Sequence, residues 1–155
     1  MDTLLKNIKK DFPKILFKPG NTFLWSPRQK IITYKSTSTN NPAAIWSLLH
    51  ELGHATLNHS SFTSDFDLLL MESAAWDKAQ ELAKKYRLSI ESNHIQDCLD
   101  TYRDWLYQRS TCPGCTSCSL QTDSRTYECF NCGTTWHVSQ SRMCRPYRRL
   151  QKVYK

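Results

Sequence analysis

The order of patterns along the chain predicts an α+β domain followed by a small cysteine-rich module. Short β-prone runs come first, within residues 15–34, and three long stretches with helical apolar spacing follow, from residue 42 to about residue 108. Six of the seven cysteines then crowd into residues 112–144. The expected division is a globular domain over 1–109, a ribbon-like module over 110–140 and a basic tail over 141–155.

Met1–Phe12 reads as a short amphipathic helix with Leu4, Leu5, Ile8 and Phe12 on one side, stopped by Pro13. Ile15–Phe17 and Thr22–Trp25 read as strands around a Lys18–Asn21 turn, and Ile31–Tyr34 as a third after Ser26-Pro27. These strands are expected to pair antiparallel. Asn41 as N-cap with Pro42 at the first helical position opens a helix running to about Asn58. Ser64, with Asp67 three residues on, caps a second helix from Asp65 to about Tyr86. A third runs from about Glu91 to Gln108 and carries Ile95, Cys98, Leu99, Tyr102, Trp105 and Leu106.

Composition narrows the classes. With 39% hydrophobic residues the chain has enough apolar material for a core, which argues against wholesale disorder. No apolar run of membrane-spanning length occurs, and the first ten residues alternate charge with leucine rather than forming a secretory h-region. A cytoplasmic protein is expected. Residues 1–104 carry a net charge of +1 and residues 105–155 a net +6, so the basic character belongs to the C-terminal third. Clustered CxxC pairs without a secretion signal favour metal thiolates over a disulfide framework.

The central motif is His50-Glu51-Leu52-Gly53-His54. Residues four apart lie close together around a helix, so both imidazoles reach one ion, while Glu51 is offset and available as a base. Two neutral nitrogen ligands, a carboxylate base and an open coordination position are the parts of a zinc hydrolase. Ile45, Leu48, Leu49 and Leu52 supply the apolar face that anchors this helix.

A catalytic zinc takes a third protein ligand. His59 falls one residue short of the extended metzincin spacing, and Leu57 stands where that pattern has glycine. His94 is remote in sequence. Glu72 is the better candidate, early in the next helix, with small Ala75 allowing two antiparallel helices to approach.

HELGHATLNH followed by a helix bearing Glu72-Ser73-Ala74-Ala75 resembles the gluzincin metallopeptidases, and within them the compact ImmA/IrrE-like metallo-endopeptidases. The resemblance covers about residues 15–86. It implies a minimal gluzincin fold, His50, His54 and Glu72 as zinc ligands, and Glu51 as general base. It also implies hydrolysis of peptide bonds in an intracellular protein substrate, a regulator among the known cases, with an edge strand such as Ile31–Tyr34 pairing with the extended substrate. The chain departs from the family at Trp76, where Asp or Asn commonly follows the alanine and helps orient the site; Asp77 is one place late. Tyr34, His59 and His94 are candidates for the oxyanion stabiliser.

Cys112-Pro-Gly-Cys115 and Cys129-Phe-Asn-Cys132 form two CxxC pairs separated by thirteen residues, the spacing of a zinc ribbon. That zinc is structural, because about 30 residues hold too little core to fold alone. Cys118 offers a competing register through Cys115-Thr-Ser-Cys118, and Cys144 a spare thiol. The tail places Arg142, Arg145, Arg148, Arg149 and Lys152 beside Tyr147 and Tyr154, a pattern that contacts phosphates and stacks bases. Docking of an acidic protein is the alternative for the tail. For the whole chain the alternative is a nucleic-acid-associated SprT-like protease or DNA-binding zinc-ribbon protein. The SprT-like proteases use a later histidine as third ligand.

Overall fold

A computed structural model of the protein describes residues 2–36, 41–139 and 148–150. The described elements are α1 (Asp2–Asp11), β1 (Leu16–Gly20), β2 (Leu24–Ser26), β3 (Ile31–Lys35), α2 (Pro42–Thr56), α3 (Asp65–Lys85), α4 (Ser92–Ser110), β4 (Thr126–Glu128), β5 (Thr135–Val138) and β6 (Arg148–Leu150). The α+β class expected from the sequence is therefore present, and no helix among the described residues is long and apolar enough to cross a membrane.

The chain forms two compact units. The first joins Met1–Ser61 to Leu70–Ile95, and the second joins Phe62–Leu69 to the chain from Gln96 onward. This division differs from a single boundary near residue 109. The start of α3 and most of α4 belong with the cysteine module, to which Asp65 and Arg109 are tied by hydrogen bonds with Tyr127 and Trp136.

In the first unit a three-stranded sheet has the order β1-β3-β2. β2 and β3 form the antiparallel hairpin, with Trp25 opposite Ile32 and Lys30 in the left-handed region at φ 53°. β1 runs parallel to β3, pairing Leu16 with Ile31 and Gly20 with Lys35. Two expectations are corrected here. The strands are not all antiparallel, since Lys18–Gly20 continue β1 instead of turning into a hairpin. Moreover, Ile31–Tyr34 is the central strand, bonded on both sides, so it has no free edge to offer a peptide. Among the described residues the free edges belong to β2 and to β1, where Pro19 is tolerated because an edge position can do without its missing N–H.

The core behind this sheet follows the sequence pattern. Ile31, Ile32 and Tyr34 of β3 are buried, as are Leu48, Leu49 and Leu52 of α2, and α2 packs against β2 and β3. Ile8 of α1 and Ala75, Trp76 and Ala79 of α3 are also buried. α2 begins where expected: Asn41 is extended and its side chain accepts from the Ala43 N–H at 3.0 Å, with Pro42 behind it. It ends with Asn58 at φ 54°, a left-handed C-terminal residue for which asparagine is suited. At the start of α3, Ser64 Oγ accepts from the Asp67 N–H at 3.1 Å and Asp67 Oδ2 accepts from the Thr63 N–H at 2.9 Å, a reciprocal cap.

The second unit is organised around a sheet of order β4-β5-β6. Tyr127 and Trp136 face each other across β4 and β5 with rings stacked at 5.4 Å and 13°, buried with Val138, Cys112 and Cys129. A buried ion pair sits beside them. Asp65, the first residue of α3, accepts from Arg109 Nε at 2.5 Å and Nη2 at 3.1 Å, and from the Tyr127 hydroxyl at 2.6 Å. Arg109 also donates to the Ser139 carbonyl and lies 4.5 Å over the Trp105 ring, while its own carbonyl accepts from Trp136 Nε1 at 2.9 Å. Burial, then the hydrogen bond to Asp65, pushes the Tyr127 hydroxyl upward from its usual pKa.

Candidate metal centres

The first centre lies on α2 and α3 within the first unit. His50 and His54, one turn apart on α2, direct their Nε2 atoms to within 3.1 Å of each other. Glu72 Oε2 lies 3.1 Å from His50 Nε2 and 3.5 Å from His54 Nε2. Ligands bonded tetrahedrally at about 2.1 Å would stand roughly 3.4 Å apart, so these separations suit one shared ion. Protons alone satisfy the arrangement poorly, because each Nε2 carries at most one and three atoms converge on the same point. The side chains of His50, His54 and Glu72 are 11%, 12% and 8% exposed. Burial works against the Glu72 charge, but hydrogen bonds with His50 and His54 outweigh it and hold its carboxyl well below the usual range. Glu72 therefore presents a full negative charge at neutral pH.

Gly53 makes this approach feasible. A Cβ at Gly53 would fall 2.4 Å from the Ala75 carbonyl oxygen, so α2 and α3 meet backbone to backbone one residue from His54. Ala75, fully buried, is the matching small residue anticipated from sequence. A helix-interior glycine costs about 1 kcal/mol relative to alanine, yet here the added methyl has no space. Gly53→Ala is expected to destabilise by a net of up to about 2 kcal/mol, since overpacking of about 1–3 kcal/mol is set against a propensity gain of about 1 kcal/mol. It is also expected to weaken metal binding by His50, His54 and Glu72. Thermal unfolding together with metal titration checks this; an unchanged Tm would mean that the helices do not touch there.

The surroundings of the two imidazoles differ. His54 Nδ1 lies 2.9 Å from His59 Nδ1, so a proton on His54 Nδ1 donated to His59 leaves the His54 Nε2 lone pair directed at the ion site. His59, considered in the sequence as a ligand, lies outside the His50, His54 and Glu72 group and contacts His54 instead. His50 Nδ1 is buried with no hydrogen-bond partner among the described residues. Trp76, the noted departure from the resembled pattern, stacks on the His50 ring at 4.2 Å and 29°, and Asp77 is exposed to solvent. The His50 ring is thus fixed by stacking. His94 packs between Trp46 and Trp76 at 4.8 and 5.6 Å, and Tyr34 lies in the core.

Glu51 is held from the strand side. Its Oε2 accepts from the Trp25 backbone N–H at 2.6 Å, so the carboxylate sits beside β2, an edge strand. The Trp25 indole donates to the His59 carbonyl at 2.9 Å. Trp25 therefore touches both the expected base and the residue that orients His54, a linkage with no sequence signature beyond an aromatic in a strand.

The second centre is the four-cysteine group. Cys112, Cys115, Cys129 and Cys132 bring their sulfurs within 4.8 Å of one another, with Cys112–Cys132 at 3.6 Å and Cys115–Cys129 at 3.5 Å. Bonds of about 2.3 Å to a tetrahedral zinc separate sulfurs by roughly 3.8 Å, close to these values. Each CxxC turn closes on a left-handed residue, Thr116 at φ 64° and Gly133 at φ 70°. Gly114 donates its N–H to Cys112 Sγ at 3.3 Å. Hydrogen bonds from Ser117, then from Asn131, lower the Cys115 thiol to about 5, and a thiolate there is the form that ligates a metal. Cys118 is exposed and outside the group, so the Cys112–Cys115 register is the one adopted.

Of the basic tail, Arg142, Arg145, Cys144 and Lys152 lie outside the described residues. Arg148 is exposed on β6 and donates to the Thr111 carbonyl at 2.6 Å, and β6 pairs Arg149 with His137 of β5. Comparison of the chain with models of protein families, with curated proteins and with solved structures finds no match.

Proposed function

We propose that this protein is a zinc-dependent endopeptidase of gluzincin type, similar to the ImmA/IrrE-like enzymes, acting on an intracellular protein substrate. The observation that carries the reading is the convergence of His50 Nε2, His54 Nε2 and Glu72 Oε2 within 3.5 Å, with Glu51 next to the first ligand. Two imidazoles and one carboxylate leave coordination positions open, as catalytic zinc sites require, whereas the four-thiolate set is closed and structural. When bound, zinc lowers the pKa of a water and polarises a carbonyl. The residues of the chain supply the rest. Glu51 takes the proton of the attacking water and returns it to the departing amide nitrogen. The Trp25 N–H holds that carboxylate in place on the β2 side, His59 fixes the His54 ring, and Trp76 fixes the His50 ring.

Glu51→Gln tests the reading. The amide preserves an acceptor for the Trp25 N–H but removes the base, so turnover of a protein substrate is expected to fall about 10²–10⁴-fold. Metal content should stay at one ion per group of ligands. Equal proteolysis by the variant would sink the assignment of Glu51, and loss of metal would mean that it ligates. A SprT-like arrangement with a later histidine ligand finds no support in the positions of His59 and His94.

A further inference from the structure

A groove of about 880 Å³ in the first unit plays no part in holding metal. It is bounded by the turn after α1, the β2–β3 hairpin, the end of α2 and one face of α3. Phe12, Ile15, Trp25 and Leu82 give it apolar walls. Its charged lining is lopsided: Lys14, Lys30, Lys78 and Lys85 against the single acid Asp11. Asp11 is already committed, to Lys85 at 2.7 Å and to the Tyr86 hydroxyl at 3.0 Å, and Lys78 pairs with Glu81 at 2.5 Å. Lys14 and Lys30, both exposed, have no ion pair among the described residues.

The groove also adjoins the chemistry. Trp25 lines it while its backbone N–H holds Glu51, and Ala55 and Thr56 line it directly after His54. An occupant would therefore touch Trp25, whose backbone holds the base, and the end of the ligand-bearing helix.

We infer that this groove is a specificity site for the substrate, taking an acidic peptide segment whose apolar side chains pack on Phe12, Ile15 and Trp25 while its carboxylates meet Lys14 and Lys30. Naming the occupant as substrate rests on the peptidase reading; the binding itself does not. Apolar walls with two unpaired cations match a segment alternating Leu or Phe with Asp or Glu.

The test uses the full chain loaded with zinc and carrying Glu51→Gln, with fluorescein-labelled peptides that alternate Leu and Phe with Glu, with Gln or with Lys. Anisotropy should show the Glu peptide binding about tenfold more tightly than the Gln peptide, with the gap closing as salt rises. The double variant Lys14→Glu, Lys30→Glu should lose that preference and favour the Lys peptide. Lys84→Glu, on exposed α3 surface outside the groove, should behave as the parent. Three outcomes overturn the inference: equal affinity for all three peptides, a Glu preference that survives the double variant, or displacement of the Glu peptide by an equal concentration of single-stranded oligothymidylate. Cleavage by the chain with native Glu51 separates the two readings. Charge-selective binding without cleavage keeps the groove and removes the peptidase; cleavage indifferent to peptide charge does the reverse.

Discussion

Replacing Arg109 with methionine is expected to destabilise the second unit by about 3–5 kcal/mol, because it strands the buried Asp65 carboxylate. Asp65 and Arg109 side chains are only 3% and 2% exposed, and among the described residues the Tyr127 hydroxyl would remain as the donor to the charge. The hydrogen bond from Arg109 to the Ser139 carbonyl is lost in the same step. The double variant Asp65→Leu, Arg109→Met should recover most of the loss, since a buried ion pair owes little net stability to its attraction once desolvation is counted. Amide hydrogen exchange over residues 112–138 reads both variants within that unit. Single and double variants exchanging equally fast would show that the pair is not isolated from water.

Cys129→Ser is expected to have the largest effect of all. Cys129 is 1% exposed and is both a thiolate of the four-cysteine group and part of the core around Tyr127 and Trp136. Metal binding of this type contributes about 10–16 kcal/mol of apparent free energy, far more than so small a core supplies. The metal content should drop by the ion of that group, and the near-ultraviolet signal of the stacked Tyr127–Trp136 pair should vanish. A strong chelator should do the same to the unsubstituted chain. Cys118→Ser should change neither quantity, because Cys118 is exposed and outside the group. An effect of Cys118→Ser equal to that of Cys129→Ser would reverse the register.

What could be read from sequence was what local geometry decides. The start of α2 follows from Asn41 and Pro42, and the pairing of His50 with His54 follows from helical periodicity. The cysteine register followed from the CxxC turns, with Pro113-Gly114 suiting the first of them. Glu72 was reachable because a two-histidine site requires a further ligand and this acid sits early in the next helix, among apolar neighbours and one turn before small Ala75. Strand pairing was not reachable. β1 is parallel to β3 only because β2 folds back in between, and nothing local distinguishes that from a hairpin at Lys18–Asn21. Asp65 looked like a capping residue and Arg109 like the end of a helix, while their partner Tyr127 lies 62 residues from Asp65. Gly53 did carry a signal, a glycine in the middle of a helix, although the close approach was credited to Ala75 alone.

The backbone contact between Gly53 and Ala75 sets the bore of the ion site in a particular way. Its width is fixed by main chain against main chain, which no change of rotamer can widen or narrow. Leu48 and Leu49 can therefore drift among apolar residues of similar volume while the spacing of His50, His54 and Glu72 stays constant. The same rigidity leaves no intermediate step at residue 53 itself: the smallest possible enlargement, one methyl group, already exceeds the clearance. Variation in this protein should thus be generous around the site and absent at its narrowest point, a tolerance profile set by steric clearance at one glycine.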